Sequence, residues 1–203
     1  MAAARGGEVD QRPVIVWPGA DSTVASDALV LDQMSPVDTD AAVLVTVDNP
    51  FASVGPRLSQ RFMEDPSRAS AQLDAATEST RRAIAAALEG GADGIVYRLY
   101  GARAKHSTPM EYGGIYLERD RELLEEIRDA RLNVLFLVGD DDLYLDFVSD
   151  LPAHVLAWDA DASGFTSAQV RALRDGAQAS SDPNSEILLH HSGIHLAARL
   201  DRF

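Results

Sequence analysis

Strand-type and helix-type hydrophobic patterns alternate along most of this 203-residue chain, and no other sequence feature constrains the fold as strongly. Short apolar runs predict buried strands at 14–17, 41–47, 94–99, 134–138, 155–158 and 187–190. Helical periodicity predicts helices at 65–89, 117–130, 141–149 and 167–176. The segment 27–33 fits either a strand or one side of a helical turn. Strands that take turns with helices are typical of parallel β/α units joined by right-handed crossovers, so we predict an α/β fold.

The length of the chain limits how many such units it can hold. It fits one domain, whereas a complete TIM barrel usually takes about 250 residues. We therefore predict TIM-barrel-like parallel β/α units in an incomplete or reduced barrel, formed by one domain over 13–203. Residues 1–12 are small and polar without periodicity, and we expect a flexible tail there.

Composition excludes several classes of function. The formal net charge of -14 argues against non-specific binding to nucleic acid or to an anionic membrane, because both need a basic surface. The absence of cysteine excludes disulfides, thiolate metal sites and a cysteine nucleophile. No signal-peptide core and no apolar run of about 18 residues is visible, so we expect a soluble cytoplasmic protein.

Acidic residues recur where the predicted strands end. In a parallel β/α fold the functional side chains collect at these ends, where Asp48, Asp140 and Asp159 stand. Aspartates at such positions either cap the next helix or act on a ligand, by binding substrate or a hard cation. Asp140 and Asp159 are our candidates for substrate binding, and Asp48 is a candidate catalytic group.

The segment YRLYGARAKHS at 97–107 concentrates positive charge in an otherwise acidic chain. It predicts an anion site, because arginine binds carboxylate or phosphate through charge-assisted hydrogen bonds. The candidate substrate-binding residues are Arg98, Arg103, Lys105 and His106.

Two other interpretations of this segment stay open. Arg103 and Lys105 could form a solvated loop that pairs with acids such as Glu111 and Glu118. The tyrosine at 97 or Tyr100 could point into the site and bond a substrate, or both could pack in the core.

Histidines gather near the end of the sequence. His190, His191 and His195 resemble metal ligands in composition, but no further histidine or cysteine stands at ligand spacing. We predict no metal site and no cofactor.

The order of these motifs resembles the uroporphyrinogen decarboxylase family over about residues 41–160. The matching text begins with VLVTVDNPFASVG at 43–55 and continues with FMEDPSRASAQLDAATESTRRAIAAALEGGADGIVYRLYG at 62–101. It ends with NVLFLVGDDDLYLDFVSDLPAHVLAWD at 133–159. The resemblance implies a barrel that decarboxylates the acetate arms of a tetrapyrrole without metal or organic cofactor.

The resemblance also suggests catalytic groups and shows departures. LHHSGI at 189–194 is similar to the family's Gly-His-Gly-Ile, which implies His190 or His191 as the catalytic histidine. By spacing, the same strand also matches the family's earlier Gly-Asn-Leu-Asp segment. Tyr100 stands near the position of a family serine, and the family's early arginine and aspartate segments have no counterpart here.

Three functions follow as hypotheses. The first is decarboxylation or binding of a tetrapyrrole or other small carboxylate. The second is a noncatalytic binding or assembly homologue, and the third is a metal-dependent methyltransferase using His190, His191 and Asp140. An incomplete barrel leaves an open sheet edge, so we also expect a homodimer.

Overall fold

The computed structural model of the chain describes residues 15–16, 28–35, 40–173, 177–179 and 194–198. The strands in this part are β1 (Ile15–Val16), β2 (Ala28–Leu31), β3 (Ala42–Asp48), β4 (Gly94–Leu99), β5 (Val134–Leu137), β6 (Val155–Asp159), β7 (Ala177–Ala179) and β8 (Ile194–Ala198). The helices are α1 (Pro50–Val54), α2 (Leu58–Glu64), α3 (Pro66–Glu89), α4 (Pro109–Ile115), α5 (Leu117–Glu126), α6 (Leu145–Val148), α7 (Ala160–Ser163) and α8 (Ser167–Leu173). The tail at 1–12 and the strand predicted at 187–190 lie outside the described residues.

The strands form one sheet in the order β1-β2-β3-β4-β5-β6-β8-β7. From β1 to β6 each strand pairs in parallel with the next one along the chain. Because right-handed crossovers that always step in one direction put the helices on one face, this order is that of a barrel. The chain has an incomplete TIM-barrel-like α/β fold whose sheet curls into a half-barrel, as the sequence predicts.

The last strands of the sheet depart from the predicted parallel pattern. β8 pairs antiparallel with both β6 and β7. Antiparallel strands need no crossover helix between them. Within the described residues the series of parallel units therefore ends at β6.

The hydrophobic core lies between the sheet and the helices. Alternate side chains of the central strands enter it, including Val47, Tyr97 and Leu135, which stand side by side on β3, β4 and β5. The next side chain along each strand points to the other face of the sheet. At the carboxyl ends of β3 and β4 these side chains are Asp48 and Arg98, which stand opposite each other. Both of these side chains are partly exposed, so the sheet is open to solvent where its strands end.

The longest helix, α3, follows its sequence signals. Asp65 accepts a hydrogen bond from the backbone N–H of Arg68 at 3.0 Å, and Pro66 occupies the first helical position. The helix ends before Gly90, as the glycine pair predicts. The ambiguous segment 27–33 contains the strand β2.

The short helices were predicted less well. α1, α2 and α4 have no counterpart among the predicted helices, although α4 carries a capping box between Thr108 and Glu111. The predicted helix at 141–149 is reduced to the four residues of α6, which has no side-chain cap. The predicted helix at 117–130 ends at Glu126.

Candidate active site at the strand ends

A cross-strand ion pair marks the carboxyl ends of β3 and β4. The Nε of Arg98 donates a hydrogen bond to Oδ1 of Asp48 at 2.6 Å. The side chains are 37% and 40% exposed, so the pair faces solvent while it is partly desolvated. Burial opposes the charge on Arg98, but the hydrogen bond and charge of Asp48 outweigh burial and raise the pKa of Arg98.

Two further side chains complete this strand-end cluster. Burial raises the pKa of the Tyr100 hydroxyl, and the charge of Asp48 raises it further while that of Arg98 opposes the rise. Asp32, which directly follows β2, adds to the raised pKa of Arg98. The strand-end cluster thus consists of Asp32, Asp48, Arg98 and Tyr100, contributed by three neighbouring strands.

Asp32 was missed in the sequence because the segment before it fits either a strand or a helix. Once β2 is recognised as a strand, Asp32 becomes an acidic residue at a strand end like Asp48. The signal was therefore present but could not be used without the strand assignment.

A buried carboxylate lies beneath the cluster, on the helix side of the sheet. Asp120 of α5 is 1% exposed and accepts hydrogen bonds from the hydroxyls of Tyr97 at 2.6 Å and Tyr112 at 2.7 Å. The Nδ2 of Asn49 donates to both of its oxygens, at 3.2 and 3.3 Å. Burial raises the pKa of Asp120 to about 6, although the three hydrogen-bonding side chains oppose that rise.

Sequence reasoning also missed Asp120, because it stands in the charged run LERDRELLEE and resembles a solvated helix residue. Two signals were present. Tyr116, Leu123 and Leu124 stand one helical turn from Asp120 and place it on the apolar face of the helix. The tyrosine at 97, on the core face of a strand, requires a buried partner for its hydroxyl.

Asn49 joins the buried carboxylate to the strand-end cluster. Its Nδ2 donates to the carbonyl oxygen of Tyr100 at 3.0 Å, and the backbone N–H of Tyr100 donates to its Oδ1 at 3.2 Å. The backbone N–H of Asn49 donates to the carbonyl oxygen of Arg98 at 3.1 Å. We call these three bonds the Asn49 clasp; they fix the end of β3 against the end of β4.

Arg103 lies in the loop after β4 and is held by the loop after β5. Its side chain is 10% exposed, and its Nη2 donates to Oδ2 of Asp140 at 2.6 Å. Its Nε lies 2.8 Å from Oδ1 of Asp142 without the alignment that a hydrogen bond needs. The interpretation of Arg103 as part of a solvated loop that pairs with Glu111 is therefore wrong; its acids come from the Asp-rich segment instead.

The remaining predicted residues take several places. Lys105 is exposed, and its backbone N–H donates to Oδ2 of Asp142 at 2.8 Å. The ring of His106 stacks on Phe51 with centroids 5.5 Å apart. Burial lowers the pKa of His106, as does the charge of Arg103.

The Asp-rich strand ends divide between the two interpretations. Asp159 caps α7 by accepting from the backbone N–H of Ala162 at 3.0 Å, so the capping interpretation is confirmed there. Asp140 and Asp142 do not cap α6, because they bind the basic loop. His190 and His191 lie outside the described residues.

A surface groove of about 400 Å³ lies at the junction of α2 and α3. Its charged and polar lining comes from Arg61, Glu64, Asp65, Arg68 and Gln72. None of the lining residues belongs to the strand-end cluster.

Among the described residues, no group of three or more histidine, aspartate or glutamate side chains is arranged to hold a metal ion. The helices of the described part include none with the length and hydropathy needed to cross a bilayer.

Fold and site together define a β/α half-barrel protein with a charged cluster at the carboxyl ends of its central strands. No protein-family model matches the chain, and no curated protein matches it. The resemblance to uroporphyrinogen decarboxylases therefore rests on the motifs quoted above.

Proposed function

We propose that this chain is a uroporphyrinogen decarboxylase-like protein that binds a tetrapyrrole or other small carboxylate at its strand-end cluster. The observation that carries the proposal is the partly exposed pair of Arg98 and Asp48 at the carboxyl ends of parallel strands. This is where β/α barrels place their ligand-binding groups. The motif order over 41–160 supports the choice of substrate class.

Arg98 fits this role better than the other predicted arginine. Arg103 is nearly buried and already has two carboxylates against its guanidinium group. Arg98 uses Nε for Asp48, and within the described residues its two terminal nitrogens make no hydrogen bond. Those nitrogens can present two parallel N–H groups to a substrate carboxylate, while Asp48 fixes the plane of the guanidinium.

The reaction needs few groups and no cofactor. When carbon dioxide leaves, an electron pair stays on the carbon that carried the carboxyl group, and that carbon must then take a proton. A tyrosine hydroxyl is protonated at neutral pH, and the raised pKa of Tyr100 keeps it so, which lets it serve as a hydrogen-bond donor beside Arg98. His190 and His191 remain the candidates for proton transfer.

Binding of uroporphyrin and turnover of uroporphyrinogen test the proposal. We expect Arg98→Ala to weaken binding by about tenfold to a hundredfold, because a charge-assisted bond contributes roughly 1.5 to 3 kcal/mol. The matched control is Arg82→Ala, which removes an exposed arginine from α3 and should leave the affinity unchanged. Failure of the wild-type protein to bind, or equal affinity for Arg98→Ala, would contradict the proposal.

A noncatalytic binding protein is the second candidate. It is favoured by the ion pairs of Arg103 with Asp140 and Asp142, which occupy one of the arginines predicted to bind carboxylates. For a noncatalytic protein we expect uroporphyrin binding that depends on Arg98, but no release of carbon dioxide from uroporphyrinogen. A single-turnover assay at saturating protein separates the two functions.

A further inference from the structure

Asp120 is an unusual residue for the position that it occupies. It lies beside Leu123 and Leu124 on the core side of α5, and no described lysine, arginine or histidine forms an ion pair with it. A leucine there would avoid the cost of burying an unpaired carboxylate. The hydrogen bonds of Asp120 therefore have to offset this cost, and they indicate the role of the carboxylate.

Those hydrogen bonds connect four parts of the fold. Tyr97 belongs to β4, Tyr112 to α4, and Asn49 follows β3, while Asp120 itself lies on α5. At 2.6 and 2.7 Å the tyrosine bonds have the short distances of bonds to a charged acceptor. The carboxylate is thus the common acceptor that orients the side-chain amide of Asn49.

The orientation of that amide decides the geometry of the strand-end cluster. Asn49 follows Asp48 directly, and its clasp brackets Tyr100 on both the carbonyl and the N–H side. The clasp also reaches the carbonyl oxygen of Arg98. A rotation of the Asn49 amide would break both of its bonds to Tyr100 and free that residue beside Asp48 and Arg98, while the backbone bond to Arg98 would remain.

We infer that Asp120 is a positioning residue, which holds Asp48, Arg98 and Tyr100 in their binding geometry through the Asn49 clasp without touching the ligand. This inference deepens the proposed function and rests on it for its consequence in binding. The geometry of the clasp itself can be measured without any ligand.

The positioning depends on the ionisation of Asp120. As a carboxylate it accepts hydrogen bonds from both tyrosines and from Asn49. Once it is protonated, one of its oxygens carries a hydrogen atom and can no longer accept as well from the donating amide of Asn49. The groups that face it are Tyr97, Tyr112 and Asn49, and both tyrosines stay protonated because burial raises their pKa well above the usual range. The clasp should therefore weaken as pH falls through about 6.

Amide hydrogen exchange at Tyr100 reports on the clasp directly, because that N–H donates to Asn49. In the ligand-free protein, corrected for the intrinsic pH dependence of exchange, we expect protection to fall about fivefold below about pH 6. Asp120→Asn should show the reduced protection at every pH. The control Asp129→Asn, at a side chain that is 99% exposed, should behave as the wild type.

Tyr112→Phe provides a second test that leaves Asp120 and Asn49 in place. It removes one hydrogen bond that lowers the pKa of Asp120, so the midpoint of the loss of protection should move to higher pH. Protection in Asp120→Asn equal to that of the wild type overturns the inference. If that variant does not fold, an unshifted midpoint in Tyr112→Phe overturns it instead.

Uroporphyrin binding at about pH 7.5 then measures the consequence for the site. We expect Asp120→Asn to bind about fivefold more weakly than the wild type while its circular dichroism is unchanged. Full affinity in the folded variant contradicts the positioning role. Absence of binding by the wild-type protein would overturn the proposed function alone, since amide exchange decides the role of Asp120 separately.

Discussion

The charges of Arg98 and Asp120 are stabilised in different ways. Arg98 is partly exposed and has its counter-charge within 2.6 Å, so its pairing orients the guanidinium more than it stabilises the fold. Asp120 is buried without a cation, and hydrogen bonds alone keep it ionised at neutral pH. The first arrangement suits ligand binding, and the second couples the core to pH.

The titration of Asp120 makes a prediction for stability. Its pKa rises from 3.8 in the unfolded chain to about 6 in the folded protein, so folding favours the protonated form. Its contribution to stability is full below about pH 4 and is lost as pH rises through about 6, a change of about 3 kcal/mol. Asp120→Asn lacks this titration, so its free energy of unfolding relative to wild type should rise between about pH 4 and about pH 7.

Urea unfolding of both proteins at several pH values checks this prediction. Using the difference between variant and wild type cancels the contribution of the other carboxyl groups, which depend on pH in the opposite direction when they are paired. A difference that stays constant with pH would contradict it.

Two elements approach closely at the start of β4. A Cβ added at Gly94 would lie 1.8 Å from the backbone carbonyl oxygen of Leu132, which leads into β5. Gly94→Ala must therefore push β4 and β5 apart, and we expect a loss of about 3 kcal/mol or more in the free energy of unfolding. Thermal and urea unfolding measure this loss.

Gly114→Ala is the matched control for that substitution. Gly114 lies in α4, is exposed, and has no atom within 4 Å of the added Cβ. Alanine forms helix better than glycine, so this variant should gain about 0.5 to 1 kcal/mol. Equal effects of the two substitutions would rule out the close contact as the cause.

The loops after β4 and β5 are held together by buried charge. Asp142→Ala would leave Arg103, 10% exposed, with only the solvent-facing carboxylate of Asp140. We expect the variant to lose about 2 kcal/mol in the free energy of unfolding, since one partner of a largely buried pair is removed. Asp140→Ala should cost less, because that side chain is 59% exposed. The reverse order in urea unfolding would contradict this assignment.

At the scale of the molecule, the described strands form a half-barrel, and the sheet that they make does not close on itself. The described sheet ends in β1 on one side and β7 on the other. Because an uncovered edge offers unpaired backbone groups to another chain, we predict a homodimer. Sedimentation equilibrium should give twice the mass of one chain at micromolar concentration. A single-chain mass there would contradict the prediction.

Local signals in the sequence determined the α/β class, the barrel-type alternation and the longest helix. Asp65, Pro66 and the glycine pair at 90 and 91 set the ends of α3 through backbone hydrogen bonds and fixed dihedral angles. Because those effects act within a few residues, they can be recognised from the sequence. The placement of Asp48 and Arg98 at strand ends follows from the same alternation.

Tertiary structure alone decided which charges meet. Arg103 binds Asp140 and Asp142, about forty residues further along the chain, and Asp120 reaches Asn49 across 71 positions. The helical spacing of Asp120 from Leu123 and Leu124 indicates the core face of α5, but it does not show which groups the carboxylate meets there. Only packing of α5 against the sheet buries that carboxylate, and burial raises its pKa because a charge is costly away from water.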